Sequence, residues 1–60
     1  MDIQPGQTWS IPPHGPDIYV HSADDVAVLY SAPDRTEPTH DQPRASFEAH
    51  LTRLAAVVRT

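Results

Sequence analysis

The sequence predicts a small α+β protein: an antiparallel β-hairpin, a three-stranded sheet if an amino-terminal segment joins it, packed on one carboxy-terminal helix. Three observations lead there. Apolar residues recur at helical spacing toward the end of the chain, two runs of β-branched and aromatic residues stand in the middle, and a cluster of turn residues separates those runs.

Length and composition bound the rest. A chain of 60 residues is a single small domain, in the range where one core is marginal and oligomerisation is a common remedy. There is no cysteine, which excludes disulfides and thiolate zinc sites. The net charge is −4 with histidine neutral, and the four arginines are scattered at 35, 44, 53 and 59, so no basic run tracks a nucleic-acid backbone. No apolar run approaches the roughly 20 residues of a membrane span, and Met1 to Pro5 lack the features of a signal peptide. These readings point to a cytoplasmic protein that binds neither nucleic acid nor membrane. Lysine and asparagine are missing while Ala, Asp, Arg, Pro and Val abound, the coding bias of a GC-rich genome, which suggests an actinobacterium or its bacteriophage.

Taken in order, residues 1–6 show no periodicity and are expected to form a flexible arm. Gln7 to Ile11, if extended, places Trp9 and Ile11 on one side, and Pro12-Pro13 ends it. His14-Gly15-Pro16 reads as a chain reversal; Pro13 to Pro16 also spells PxxP, for which a turn is the better reading. Asp17 to His21 and Val26 to Tyr30 are the strands, joined by Ser22-Ala23-Asp24-Asp25. Closed by that loop, the hairpin sets His21 opposite Val26, Tyr19 opposite Val28 and Ile18 opposite Leu29. One face then holds Ile18, Val20, Ala27 and Leu29, the other Asp17, Tyr19, His21, Val26, Val28 and Tyr30. Both faces are substantially apolar and one helix covers only one of them. Three covers suggest themselves: the Trp9 segment, a second copy in a homodimer, or another protein.

Residues 31–40, with Pro33 and Pro38 flanking charged residues, read as an exposed loop. The helix is predicted over 42–59 on the stripe Phe47, Leu51, Leu54 and Val58, with Asp41 as N-cap and Pro43 in the first turn. Alanines 45, 49, 55 and 56 favour it, and no glycine marks its end.

For function, the residues offer no glycine-rich phosphate loop, no strand-turn-helix G-x-S-x-G and no helical pair of histidines four apart. His14, His21, His40 and His50 lack metal-ligand spacing, and Asp24-Asp25 read as turn residues bonding their own backbone. Together the histidines can make association pH-dependent. The expectation is therefore a non-enzymatic protein-binding regulator, without metal or cofactor, acting on a host protein; the competing class is a structural or accessory subunit of a homo-oligomeric assembly such as a virion. Trp9, Tyr19, Val28 and Tyr30 are the candidate partner-binding residues, because aromatic anchors dominate interfaces.

Overall fold

The computed structural model describes residues 2–59. Five strands and one helix follow one another as β1 (Thr8–Ser10), β2 (Ile18–Ala23), β3 (Ala27–Ser31), β4 (His40–Pro43), α1 (Arg44–Arg53) and β5 (Val57–Val58). The strands form one antiparallel sheet in the order β4-β3-β2-β1-β5. The α+β class holds; the expected hairpin is the centre of a larger sheet. β1 to β4 make a meander, and α1 then carries the chain from the β4 edge to the far side of β1. Alternating directions make β4 and β5 run the same way, so α1 crosses the sheet while returning the chain to its other end. A ten-residue helix rises about 15 Å, short of the roughly 19 Å that five strands span, and the residues after Arg53 supply the rest.

The register of the hairpin differs from the expected one in two ways. The tip is Asp24 to Val26, so that Val28 faces Ala23 where Tyr19 was expected, a shift of 23 − 19 = 4 residues that leaves the side-chain faces unchanged. Between Val20 and Ser22 the ladder then skips His21, a β-bulge that leaves Val20 opposite Tyr30 and Tyr19 opposite Ser31. One extra residue inverts every side chain beyond it relative to the partner strand. Val28 and Tyr30 thereby join Ile18 and Val20 on one face, and Ala27 and Leu29 move to the face of Tyr19. The apolar residues expected on two faces are concentrated on one.

That face is the core. Ile3, Trp9, Val20, Val28, Phe47 and Leu51 form a buried cluster, with Ile18, Ala23, Tyr30 and Ala56 packed around it. Trp9 reaches it because β1 pairs with β2 in the plane of the sheet, Trp9 opposite Ile18; it does not fold over the second face. The segment expected to be a flexible arm also contributes, since Ile3 is only 3% exposed. The Gly6 N–H donates to the Val20 carbonyl and the Val20 N–H to the Gln7 carbonyl, continuing the β1–β2 ladder. Gly6 has φ +88°, a conformation that glycine adopts without steric cost. Met1 and Thr60 lie outside the described residues.

Two helix-end expectations are corrected. Asp41 is not an N-cap but part of β4; Pro43 holds the cap position with φ −55° and ψ 139° and makes no side-chain cap bond. The Arg44 N–H is satisfied by the Val26 carbonyl at 2.9 Å, so the strand ladder takes over from a cap. The helix also stops at Arg53 and does not run to 59. Ala56 N–H donates to the Leu51 carbonyl and Ala55 N–H to the Thr52 carbonyl, with Ala55 left-handed at φ +55°. This is a Schellman ending with alanine where glycine is usual. Val57 and Val58, β-branched and better suited to a strand, pair with Ser10 and Trp9 instead of extending the helix.

A left-handed alanine costs about 1 kcal/mol, whereas a glycine inside a helix costs a similar amount, so the two endings predict opposite signs. Ala55→Gly should raise the urea midpoint by the equivalent of about 0.5–1 kcal/mol. A lowered midpoint would mean that the helix continues through Ala55.

Candidate functional site

The main concavity lies on the helix side of the sheet, where the carboxyl end of α1 leaves the ends of β2 and β3 and the β1–β2 loop comes across. It is an open groove of about 410 Å³. Ile11, Ile18, Tyr30 and Leu54 supply most of its apolar wall, and His40, His50 and Asp17 stand at its polar margin. A second depression of about 270 Å³ lies at the sheet edge, where Ser10, Pro12, Val57 and Arg59 surround it; both touch Ile11 and Asp17.

The aromatic wall is built in layers. His40 stacks on Tyr30 with ring centroids 5.1 Å apart and planes 8° from parallel, and Tyr30 leans on Phe47 at 4.9 Å. The Tyr30 hydroxyl donates to Gln42 Oε1 at 2.9 Å. Desolvation pushes the Tyr30 phenol above its ordinary pKa, so it stays a neutral donor throughout the physiological range. Asp17 is held at the margin by two partners: the Ser10 hydroxyl donates to it at 3.0 Å and Arg59 stands 3.6 Å away.

The β1–β2 loop that forms the groove's end wall depends on Gly15. Its N–H donates to the Ile11 carbonyl at 2.7 Å, closing the tight turn expected for this segment. A Cβ on residue 15 would stand 2.7 Å from both the Ile11 carbonyl oxygen and its Cβ, so backbone would have to move. Gly15→Ala should therefore lower stability by about 1–3 kcal/mol through overpacking, with a changed Ile11 environment in a proton–carbon NMR spectrum. An unchanged spectrum at unchanged stability would show that this turn is not the loop's resting form.

The four residues expected to bind a partner are not brought together on one surface. Trp9 is 6% exposed and Val28 fully buried, so both serve the core of the single chain. Tyr30 is half-buried, packed on the core and lining the groove, and it is the one of the four that the groove contains. Tyr19 faces the other way, half-buried on the sheet's uncovered side, opposite Ser31 and beside His21. Ile11, Leu54, His40 and His50 were missed as site residues. The groove assembles separate segments spread between Ile11 and Leu54, and no local pattern reports such a convergence.

On the uncovered face the bulged His21 sits edge-on to Tyr19 at 4.9 Å, and its Nε2 lies 2.6 Å from the Ser31 hydroxyl. Ser31 is 2% exposed and gives its single proton to the Ala32 carbonyl at 2.8 Å. The Ser31 oxygen thus bridges the His21 imidazole and the Ala32 carbonyl. Among the described residues no group of three or more His, Cys, Asp or Glu is placed to hold a metal ion. No helix among them is long and apolar enough to cross a membrane.

At the hairpin tip Asp24 Oδ1 accepts from the Val26 N–H at 2.8 Å and the Ala27 N–H at 2.7 Å, and the Asp24 carbonyl accepts from Arg44 at 3.1 Å. The bonds to Ala27 and Val26 hold the carboxyl below its ordinary range, with a further contribution from Arg44. A carboxylate whose folded pKa is depressed stabilises the fold above its unfolded pKa and loses that contribution as pH falls through the folded value. Asp24→Ala should thus lower the urea midpoint at pH 7, and the gap to the native chain should close below about pH 4. A gap constant down to pH 2 would show that the ionised form carries no special role.

Comparison with family models, curated proteins and solved structures returned no match to the chain.

Proposed function

We propose that this chain is a non-catalytic protein-binding module and that the groove beside the end of α1 seats an apolar side chain of its partner. The groove carries the reading: about 410 Å³, walled mostly by apolar side chains, open at the surface and bordered by a few polar groups, the usual make-up of a binding site. Sequence composition supplies the setting, a cytoplasmic regulator of actinobacterial or phage origin that occupies a host protein's surface.

A second reading, a subunit of a homo-oligomeric assembly, is favoured by β5. Val57 and Val58 are 56% and 43% exposed, and both lie on the sheet edge. Arg59 N–H bonds inward to the Thr8 carbonyl, so strand alternation turns the main-chain groups of Val58 outward. An edge of this kind can pair with its own copy.

The test is a pull-down with the tagged chain from an actinobacterial lysate, run beside Leu54→Gln and Tyr19→Ala, with circular dichroism to confirm that each variant folds. One protein recovered near stoichiometrically, lost with Leu54→Gln and kept with Tyr19→Ala, supports binding in the groove. A bait that returns alone as a stable oligomer replaces the first reading with the second.

A further inference from the structure

The segment before β1 is clasped by one side chain. Pro5 and Gly6 fill the central positions of a type II turn, Gly6 with φ +88° and the Gln7 N–H returning toward the Gln4 carbonyl at 3.4 Å. The turn lays residues 2–4 back as a strap in which Ile3 is buried while Asp2 and Gln4 stay exposed. Gln7 Oε1 accepts from the Gln4 N–H at 2.8 Å and from the Trp9 indole N–H at 3.1 Å, and Gln7 Nε2 donates to the Asp2 carbonyl at 3.0 Å. Turned over, the amide would set its NH2 group against two donors, so its orientation is fixed.

These bonds bracket Ile3. A parallel neighbour presents to a strand residue an acceptor for the amide after it and a donor for the carbonyl before it, and Gln7 supplies both from one carboxamide. The strap's own side chains bond each other, Gln4 Nε2 donating to the two Asp2 carboxylate oxygens at 3.0 and 3.2 Å. Among the described residues the strap is joined to the rest of the chain by the Gln7 side chain, by Ile3 in the cluster with Trp9 and Val20, and by the Gly6 N–H on the Val20 carbonyl. No atom lies within 4 Å of where a Cβ on Gly6 would stand, so the strap has a hinge as well as a clasp.

We propose that Gln7 and the socket of Ile3 form a binding site for an extended segment centred on one branched apolar residue, and that residues 2–4 fill it as a detachable strap. The chemistry of the ligand is that of the segment seated there. Its central side chain is buried and its flanking side chains face water, so recognition falls on the apolar residue and on the main chain at either side of it. The residue after the apolar one gives its N–H to Gln7 and therefore cannot be proline. A partner segment of this class displaces the strap, which swings out at Gly6. The site is separate from the groove, which Ile3, Gln7 and Trp9 do not line.

Detachment is read by amide hydrogen exchange of the full chain. The Gly6 amide should exchange at least about tenfold faster than the Val20 amide, after correction for intrinsic rates, because the strap opens without the sheet. Gln7→Glu keeps both acceptor bonds but cannot donate to the Asp2 carbonyl, and it should speed Gly6 further while leaving Val20 unchanged. Equal exchange of the two amides in the native chain would make the strap part of the cooperative core and overturn the proposal. The ligand class is read by adding acetyl-Asp-Ile-Gln-amide to the isotope-labelled Ile3→Ala chain and following the indole N–H of Trp9, the single tryptophan. This peptide should shift that resonance, whereas counterparts with serine for isoleucine or proline for glutamine should not. The native chain should need at least about tenfold more peptide, since its tethered strap competes. Ile3→Val takes the place of Ile3→Ala if circular dichroism shows the latter unfolded. The proposal is overturned if either counterpart binds as well as the first peptide or if native and variant chains bind alike. Absence of any shift up to about 10 mM peptide, beyond the effective concentration of a short tether, overturns it as well.

Discussion

The structure depends on the one-residue bulge at His21. A hairpin with regular pairing would set Val28 and Tyr30 beside Tyr19, away from Val20 and Ile18, and no single helix could cover both sets. The extra residue brings Val20 and Val28 onto one face, where both are fully buried under Phe47 and Leu51. A bulge interrupts a ladder and leaves groups to be satisfied. Here the interruption is filled by the His21 side chain, bonded to Ser31 and set edge-on to Tyr19, which gives the local kink a defined geometry. The shift also sets Asp41, opposite Leu29, on the outer face, where Thr8 already stands opposite Tyr19.

Once one face holds the core, the helix has to cross it and end on time. Phe47 and Leu51 are the two helical residues that the sheet buries, and one turn later Leu54 is only half-covered. Two reversed bonds at Ala55 and Ala56 end the helix there and release Val57 and Val58 to the edge of β1. Trp9 is consequently enclosed by strands on both sides, Ile18 on one and Val58 on the other. The groove is the by-product of this geometry: the helix departs from the sheet at Leu54 before the ends of β2 and β3 are covered, and the Ile11 loop closes only part of the gap.

Much of this was legible in the residues, and the parts that were not share a cause. The two central strands, most of the loop expected over 31–40 and the body of the helix follow from composition and spacing within each segment, although Ser31 is buried at the end of β3 and His40 opens β4. Asp24 bonds its own backbone as its turn context implies. The bulge has no local mark, because His21 in an alternating run looks like any outward strand residue. Ala55 and Ala56 are strong helix formers, and what stops the helix is the pairing that Val57 and Val58 gain on β1, a segment nearly 50 residues earlier. Ile3 was read as part of an arm for the same reason, since its burial depends on neighbours that only the folded chain supplies. The groove belongs with these non-local features, and Tyr30 alone was anticipated as part of it.

The two borders of the sheet are unlike, and that difference limits how copies of the chain can accumulate. On β4 the inward bonds of the Arg44 N–H fix the alternation so that Asp41 and Pro43 point their main chains outward. Proline has no N–H to offer and aspartate sets a charge beside the only amide there, so this border rejects an incoming strand. The β5 border is open but bounded by its partner's equivalent. Edge pairing between identical chains can therefore join β5 only to β5, about a two-fold axis, and the product has a blunt β4 at each end. Any association through the sheet would therefore terminate at two and could not seed an endless fibre.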